Sequence, residues 1–143
     1  MMIRVAIPKE TAPNETRVAA TPETVKKLVG LGFAVIVEGG AGTASRIPDR
    51  EFEAAGAAIG KVGDIAKADV VLKVRRPSSA ELKAYKKSAV VIAMLDPYGN
   101  DAAVKELAGA GVTAFTMEFM PRITRAQVMD VLSSQANLAG YQA

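Results

Sequence analysis

The sequence contains no cysteine and no histidine. Without cysteine, disulfides and thiol chemistry are excluded. Without histidine, the commonest general base and the commonest metal ligand are both missing, so Ser-His-Asp triads and histidine-based metal sites cannot exist in this chain. Long apolar runs are also lacking. The longest, AVVIAML (Ala89 to Leu95), has the length of a strand and falls far short of a membrane span. The opening MMIRVAIPKE has too short an apolar run for a signal peptide. Clustered positive charge is absent as well. The net charge is +3, and the pairs Lys26–Lys27, Arg75–Arg76 and Lys86–Lys87 lie far apart with no aromatic residues interleaved. A nucleic-acid groove needs both clustered charge and stacking rings, so these pairs read as solvated surface.

What is present is the composition of a globular domain: 143 residues, 50% apolar and 23% charged. Apolar, β-branched runs alternate with helical patterns. IRVAI (Ile3 to Ile7), FAVIVE (Phe33 to Glu38), DVVLKV (Asp69 to Val74), AVVIAML and VTAFTM (Val112 to Met117) are predicted strands. Thr21 followed by Pro22 predicts a capped helix whose apolar face is Val25, Leu28 and Val29, stopped by Gly30 and Gly32. DREFEAAGA predicts a short helix ending at Gly56, and Asn100 is the expected cap of a helix carrying Ala103, Val104, Leu107 and Ala108. Strands apolar on both faces, alternating with helices, predict one α/β domain over residues 1–143. Its parallel sheet has helices on both faces, giving three layers of flavodoxin-like or Rossmann-like type.

Four features invite a chemical reading. EGGAGTAS follows a strand, but Gly40-Ala41-Gly42 lacks the third glycine of a dinucleotide turn, and Pro48 interrupts any immediate helix. It reads as a tight structural loop rather than a phosphate cradle. PKETAPNETRVAATP is a long polar loop after the first strand, at the sheet end where α/β folds bind ligands, and it carries Arg17. Lys73 interrupts an apolar strand; it is either a buried lysine that is paired or put to use, or an edge or strand-end lysine reaching solvent. The closing segment predicts an amphipathic helix. At helical spacing, Val128, Val131, Leu132, Leu138 and Ala139 share one face, and Gln127, Asp130, Ser133, Ser134 and Asn137 the other. Short hydroxyls, amides and one carboxylate, with no charge after Asp130, suit recognition of a neutral polar group such as a carboxamide.

MEFMPRITRAQVMDVLSSQANLAGY closely resembles a segment of the NAD(H)-binding component (domain I, alpha subunit) of proton-translocating NAD(P) transhydrogenase. The stretches IPKET, ETRVAATPETVKKLVGLGFAVIVE and ADVVLKVRRP are similar to the same family's opening. The resemblance spans essentially the whole chain and implies the first of two subdomains, with the NAD-binding Rossmann subdomain lying outside residues 1–143 and the chain ending within a helix. It also implies that Arg122, Gln127, Asp130 and Ser133 line the cleft for the nicotinamide end of NAD(H). Arg122, Asp130 and Ser133 would hold the carboxamide region, and Gln127 would reach toward NADP(H) on a separate NADP-binding component. Gln127 and Asp130 would be the residues nearest the chemistry, a direct hydride transfer coupled elsewhere to proton translocation. The implied assembly is a homodimer joined to an NADP-binding component and a membrane subunit. Its place would be the cytoplasmic face of the inner membrane, without insertion of this chain, and the chain alone would be inactive.

Two other readings stand beside it. Alanine dehydrogenase is similar in its N-terminal half, and Arg17 and Lys73 match that family's substrate-binding arginine and lysine. Its active-site histidine would fall near Met94, where there is none. A non-catalytic module for dimerisation or NAD sensing is the third. Neighbouring coding sequence for a glycine-rich βαβ unit or a membrane subunit would favour transhydrogenase.

Overall fold

The computed structural model describes residues 1–143. Six strands form one parallel sheet: β1 (Arg4–Ile7), β2 (Ala34–Glu38), β3 (Ala58–Gly60), β4 (Val70–Arg75), β5 (Val90–Met94) and β6 (Thr113–Thr116). Their order across the sheet is β3-β2-β1-β4-β5-β6. That is the Rossmann-type order and not the flavodoxin one. The helices are α1 (Pro22–Gly30), α2 (Asp49–Ala54), α3 (Val62–Ile65), α4 (Ser79–Ala84), α5 (Asp101–Gly109) and α6 (Val131–Gln142).

Helices cover both faces because successive strand residues point to opposite sides. On one face Ile7, Val35 and Val37 pack with Val25 of α1 and Phe52 of α2. On the other, Ala6, Val71, Val91 and Ala93 pack with Ile65 of α3, Leu82 of α4 and Leu107 of α5. Each fully buried Val, Ile or Phe contributes roughly 1.5–3 kcal/mol, so these two layers carry the fold.

Local signals act as expected in the first half. The Thr21 hydroxyl accepts from the Thr24 amide at 3.3 Å, and α1 turns out through Gly32 at φ +91°. Three elements were not expected: β3, α3 and α4. The first two are only three and four residues long, too short to show a period. The signal for α4 was the capping box, in which Ser78 and Glu81 bond each other's backbone amides at 3.3 and 2.7 Å. Asn100 does occupy the cap position of α5, but its side chain makes no cap bond.

The closing segment differs most from expectation. It is not one helix. Thr124–Met129 forms a 3₁₀ turn, and α6 begins only at Val131 with Asp130 as its N-cap. Gln127 and Val128 therefore do not continue the spacing of Ser133 and Leu138. The cause is Asp130 itself, whose extended backbone and capping carboxylate restart the chain.

Candidate functional site

Strands β1 and β4 lie side by side, yet one chain continues to β2 and the other to β5. The strand order reverses here, and a crevice opens beyond the carboxyl ends. Their pairing runs through Val5–Val70 and Ala6–Val71. Beyond it, a side chain replaces the ladder. The Glu10 carboxylate accepts from the Val74 amide at 2.6 Å and the Arg75 amide at 3.3 Å.

A cleft of about 570 Å³ occupies this crevice. Its floor is apolar, with Leu72, Val74, Ile92 and Met94 from the ends of β4 and β5. Met129, Asp130, Val131, Ser134 and Gln135 form one wall, and Arg17, Thr21 and Ser45 lie on the opposite side. Ser45 Oγ ties its loop to the β1 loop by donating to the Thr16 carbonyl at 2.6 Å. An apolar floor beneath a polar rim, in which the hydroxyls and amide of Thr21, Ser134 and Gln135 lie beside the internally paired Arg17 and the capping Asp130, suits a flat ring carrying a polar substituent.

Charges at the base are matched in pairs. The Lys73 side chain is 1% exposed, its Nζ lying 2.7 Å from Glu81 and 3.8 Å from Glu10. It is thus a buried, paired lysine on an interior strand, and the alternative of a solvent-reaching strand end falls. Glu81 stays ionised below the usual carboxylate range; burial opposes this, but hydrogen bonds from Lys73 and the Ser78 amide outweigh it. Glu15 accepts from Arg17 Nε at 2.7 Å and Nη2 at 2.7 Å, and from Arg75 Nε at 2.8 Å. The Arg17 hydrogen bonds, aided by Arg75 against the effect of burial, hold its carboxyl down to about 2.

Of the polar residues singled out in the sequence, Arg17, Lys73, Asp130 and Ser134 line this cleft, while Arg122, Gln127, Ser133 and Asn137 do not. Asp130 is occupied by its capping task. It accepts from the Leu132 and Ser133 amides at 3.0 and 3.2 Å and from Ser133 Oγ at 2.7 Å. These bonds, the Ser133 hydroxyl foremost, with Arg122 contributing, keep its carboxyl ionised below the ordinary range. Arg122 and Gln127 are exposed.

The glycine loop is structural. The Gly40 amide donates to both Asp49 oxygens, at 2.9 and 3.1 Å, and the amides of Ala41, Thr43 and Ser45 bond carbonyls of the same loop. A methyl on Gly42 would lie 2.5 Å from the Ile47 carbonyl oxygen. Donors already engaged cannot cradle a phosphate.

Sequence reasoning missed Glu10, Glu15, Glu81 and Gln135. The only hint for the first two was their place in the loop that carries Arg17; no motif marks either as a partner. No group of three or more acidic, cysteine or histidine side chains that could hold a metal ion occurs.

Residues 6–139 match the family model described as alanine dehydrogenase/PNT, N-terminal domain. The chain is 51% identical to an NAD(P) transhydrogenase alpha-subunit polypeptide of Rhodospirillum rubrum, over 99% of this chain and 38% of that protein. It is 34% identical to alanine dehydrogenase of Mycobacterium tuberculosis, over 96% of this chain and 37% of that one. The solved transhydrogenase from Sinorhizobium meliloti superposes with a TM-score of 0.95 at 64% identity, covering 98% of this chain and 42% of that chain. An L-alanine dehydrogenase structure superposes at 0.81 with 26% identity, covering 88% and 35%. The chain thus spans about two-fifths of the length of these relatives. With a family model matched over nearly its whole length and the Rossmann-type strand order, it belongs to the alanine dehydrogenase/PNT N-terminal domain family.

Proposed function

We propose that this domain forms one wall of the nicotinamide cleft for NAD(H) in an NAD(P) transhydrogenase. There, hydride passes directly between NAD(H) and NADP(H) and is coupled to proton translocation elsewhere in the assembly. The observation that carries the reading is the switch-point cleft, with its apolar floor and the wall of Asp130, Ser134 and Gln135. The ring rests on Leu72, Ile92 and Met94, and its carboxamide meets the hydroxyl and amide rim. Asp130 fixes the start of α6 and Ser133 fixes Asp130, so both act on the wall's geometry. Arg122, exposed beside Asp130, takes the neighbouring part of the nucleotide. Gln127, exposed outside the cleft, faces NADP(H) on the separate NADP-binding component. The nucleotides supply the reactive carbons, and this chain's residues supply position. No helix is long and apolar enough to cross a membrane. A membrane subunit, a second copy of this subunit and the NADP-binding component complete the assembly, with this domain at the cytoplasmic membrane face.

Methyl NMR tests the reading. Titrating the chain with NADH shifts the Met94 and Met129 methyls in a saturable, weak manner, because the pyrophosphate finds no glycine-rich helix terminus in residues 1–143. Unmoved cleft methyls at millimolar NADH would remove the assignment. A second reading, an amino-acid dehydrogenase pocket, is favoured by Arg17 and Lys73 lining the same cleft. It requires pyruvate to move these methyls in place of NADH.

A further inference from the structure

Helix α6 is weakly anchored to the rest of the chain. It has no buried residue, and Leu132, Leu138 and Tyr141 are open to solvent. One side-chain hydrogen bond joins it to another element: Arg17 Nη1 donates to Gln135 Oε1 at 3.3 Å across the mouth of the cleft. The direction of Arg17 therefore decides whether that bond exists.

Arg17 is not free to choose its direction. Glu15 grips Nε and Nη2 in two bonds of 2.7 Å, and its Oε1 also accepts from the Arg17 amide at 3.1 Å. A bidentate grip fixes the plane of the guanidinium and leaves Nη1 at the far edge, facing α6. The grip is itself rooted in the sheet. Glu15 Oε2 takes Arg75 Nε at the end of β4, and the Glu15 side chain is only 4% exposed beneath the two arginines. A lysine could match the charge at position 17 but not the fork.

We propose that Glu15 is a positioning residue of the cleft: by orienting Arg17 it latches α6 through Gln135 and holds the helical wall over the apolar floor. The functional consequence rests on the nicotinamide reading above. Under it, the latch sets where Ser134 and Gln135 meet the carboxamide. The latch itself is a property of the free protein and is measurable without nucleotide.

Amide hydrogen exchange of residues 135–142 is the readout, measured on the 143-residue chain and on Gln135→Ala, Glu15→Gln, Arg17→Lys and the Glu15→Gln/Gln135→Ala double variant. Each single substitution speeds exchange in α6 about fivefold, the effect of losing one exposed charge-assisted bond. Alanine is the better helix former, so intrinsic propensity works against the expected loss in Gln135→Ala. The double variant exchanges no faster than the quicker single one, since both remove the same link. Val71 and Val91 amides in the sheet keep their protection, which shows that the variants are folded. Additive effects in the double variant, an α6 unaffected by Gln135→Ala, or full protection in Arg17→Lys would each overturn the latch. Exchange contains no nucleotide, so its failure is separate from failure of the NADH titration.

Discussion

Replacing Lys73 by methionine removes the one cation between a buried carboxylate, Glu10, and a partly buried one, Glu81, while nearly conserving volume. Lys73 and Glu10 are 1% and 2% exposed at the side chain, and Glu81 is 20% exposed. Breaking a buried pair by removing one partner costs about 3–5 kcal/mol, because the remaining charge has no compensation. The partial exposure of Glu81 puts the expected loss near the lower end, about 3 kcal/mol. That is a large share of the roughly 5–15 kcal/mol available to a domain. The loss depends on pH in a definite direction. In the parent protein Glu81 is held below its ordinary value, so its stabilisation is present above the unfolded carboxylate range and declines as pH falls. With Lys73 gone, burial is opposed on Glu81 only by the Ser78 hydrogen bonds, so protonation is easier than in the parent and the variant recovers relative to it as pH falls. Urea unfolding followed by circular dichroism should give a gap of about 3 kcal/mol at about pH 8 that narrows by about pH 5. Adding Glu81→Gln to Lys73→Met should recover part of the loss, since the amide oxygen can still accept from the Ser78 amide. A gap under about 1 kcal/mol, or one independent of pH, would mean that Lys73 is solvated and its pairing inconsequential.

Glu15 makes the acid limb of stability testable. Its carboxyl lies at about 2 against an ordinary 4.5, so its contribution is full above pH 4.5 and disappears as pH falls through 2. Screening through its exposed arginines reduces that contribution to roughly 1–2 kcal/mol, and the difference between parent and Glu15→Gln in acid titrations should vanish by about pH 2. Tyr85→Phe should leave unfolding free energy unchanged or raise it by up to about 1 kcal/mol, because the Tyr85 hydroxyl is buried without a partner. A clear loss would reveal that the hydroxyl is satisfied. Gly42→Ala should cost about 1–3 kcal/mol in urea unfolding, since its methyl meets the Ile47 carbonyl oxygen at 2.5 Å and Phe52 Cε2 at 2.7 Å. Gly30→Ala, with open space around the new methyl, should instead be neutral or slightly stabilising.

Legibility follows the range of the interaction. The strands β1, β2, β4 and β5 are readable because their apolar runs are buried between the helix layers, the exposed edge strand β6 from its apolar run alone, and α1 because its cap lies three residues from its donor. The glycine loop is readable by what it lacks, and its amides are engaged within the loop and by Asp49 nine residues away. The loop after β1 is enough to put Arg17 at the ligand end of the sheet, and it lines the cleft. Its partners are harder to find. Glu15 is only two residues away, and an acid at that spacing can turn back on the arginine through local geometry, yet no motif marks it. Glu10 lies 64 residues from the amide it satisfies, and Gln135 lies 118 from Arg17. No local period encodes such a pair; it exists only once β1 and β4 stand side by side. The closing segment fails for the opposite reason. A helical period can be projected straight through Asp130, although Asp before an apolar residue is as much a stop as a face. The same residue that suggests a recognition surface is the one that breaks the helix, and its capping bonds account for its ionised state without a ligand. Under the proposed nicotinamide reading, what Asp130 offers is therefore a fixed starting point for α6, and the groups that would meet the ring's substituent lie one turn further on, the Ser134 hydroxyl and the amide nitrogen of Gln135, whose oxygen Arg17 holds.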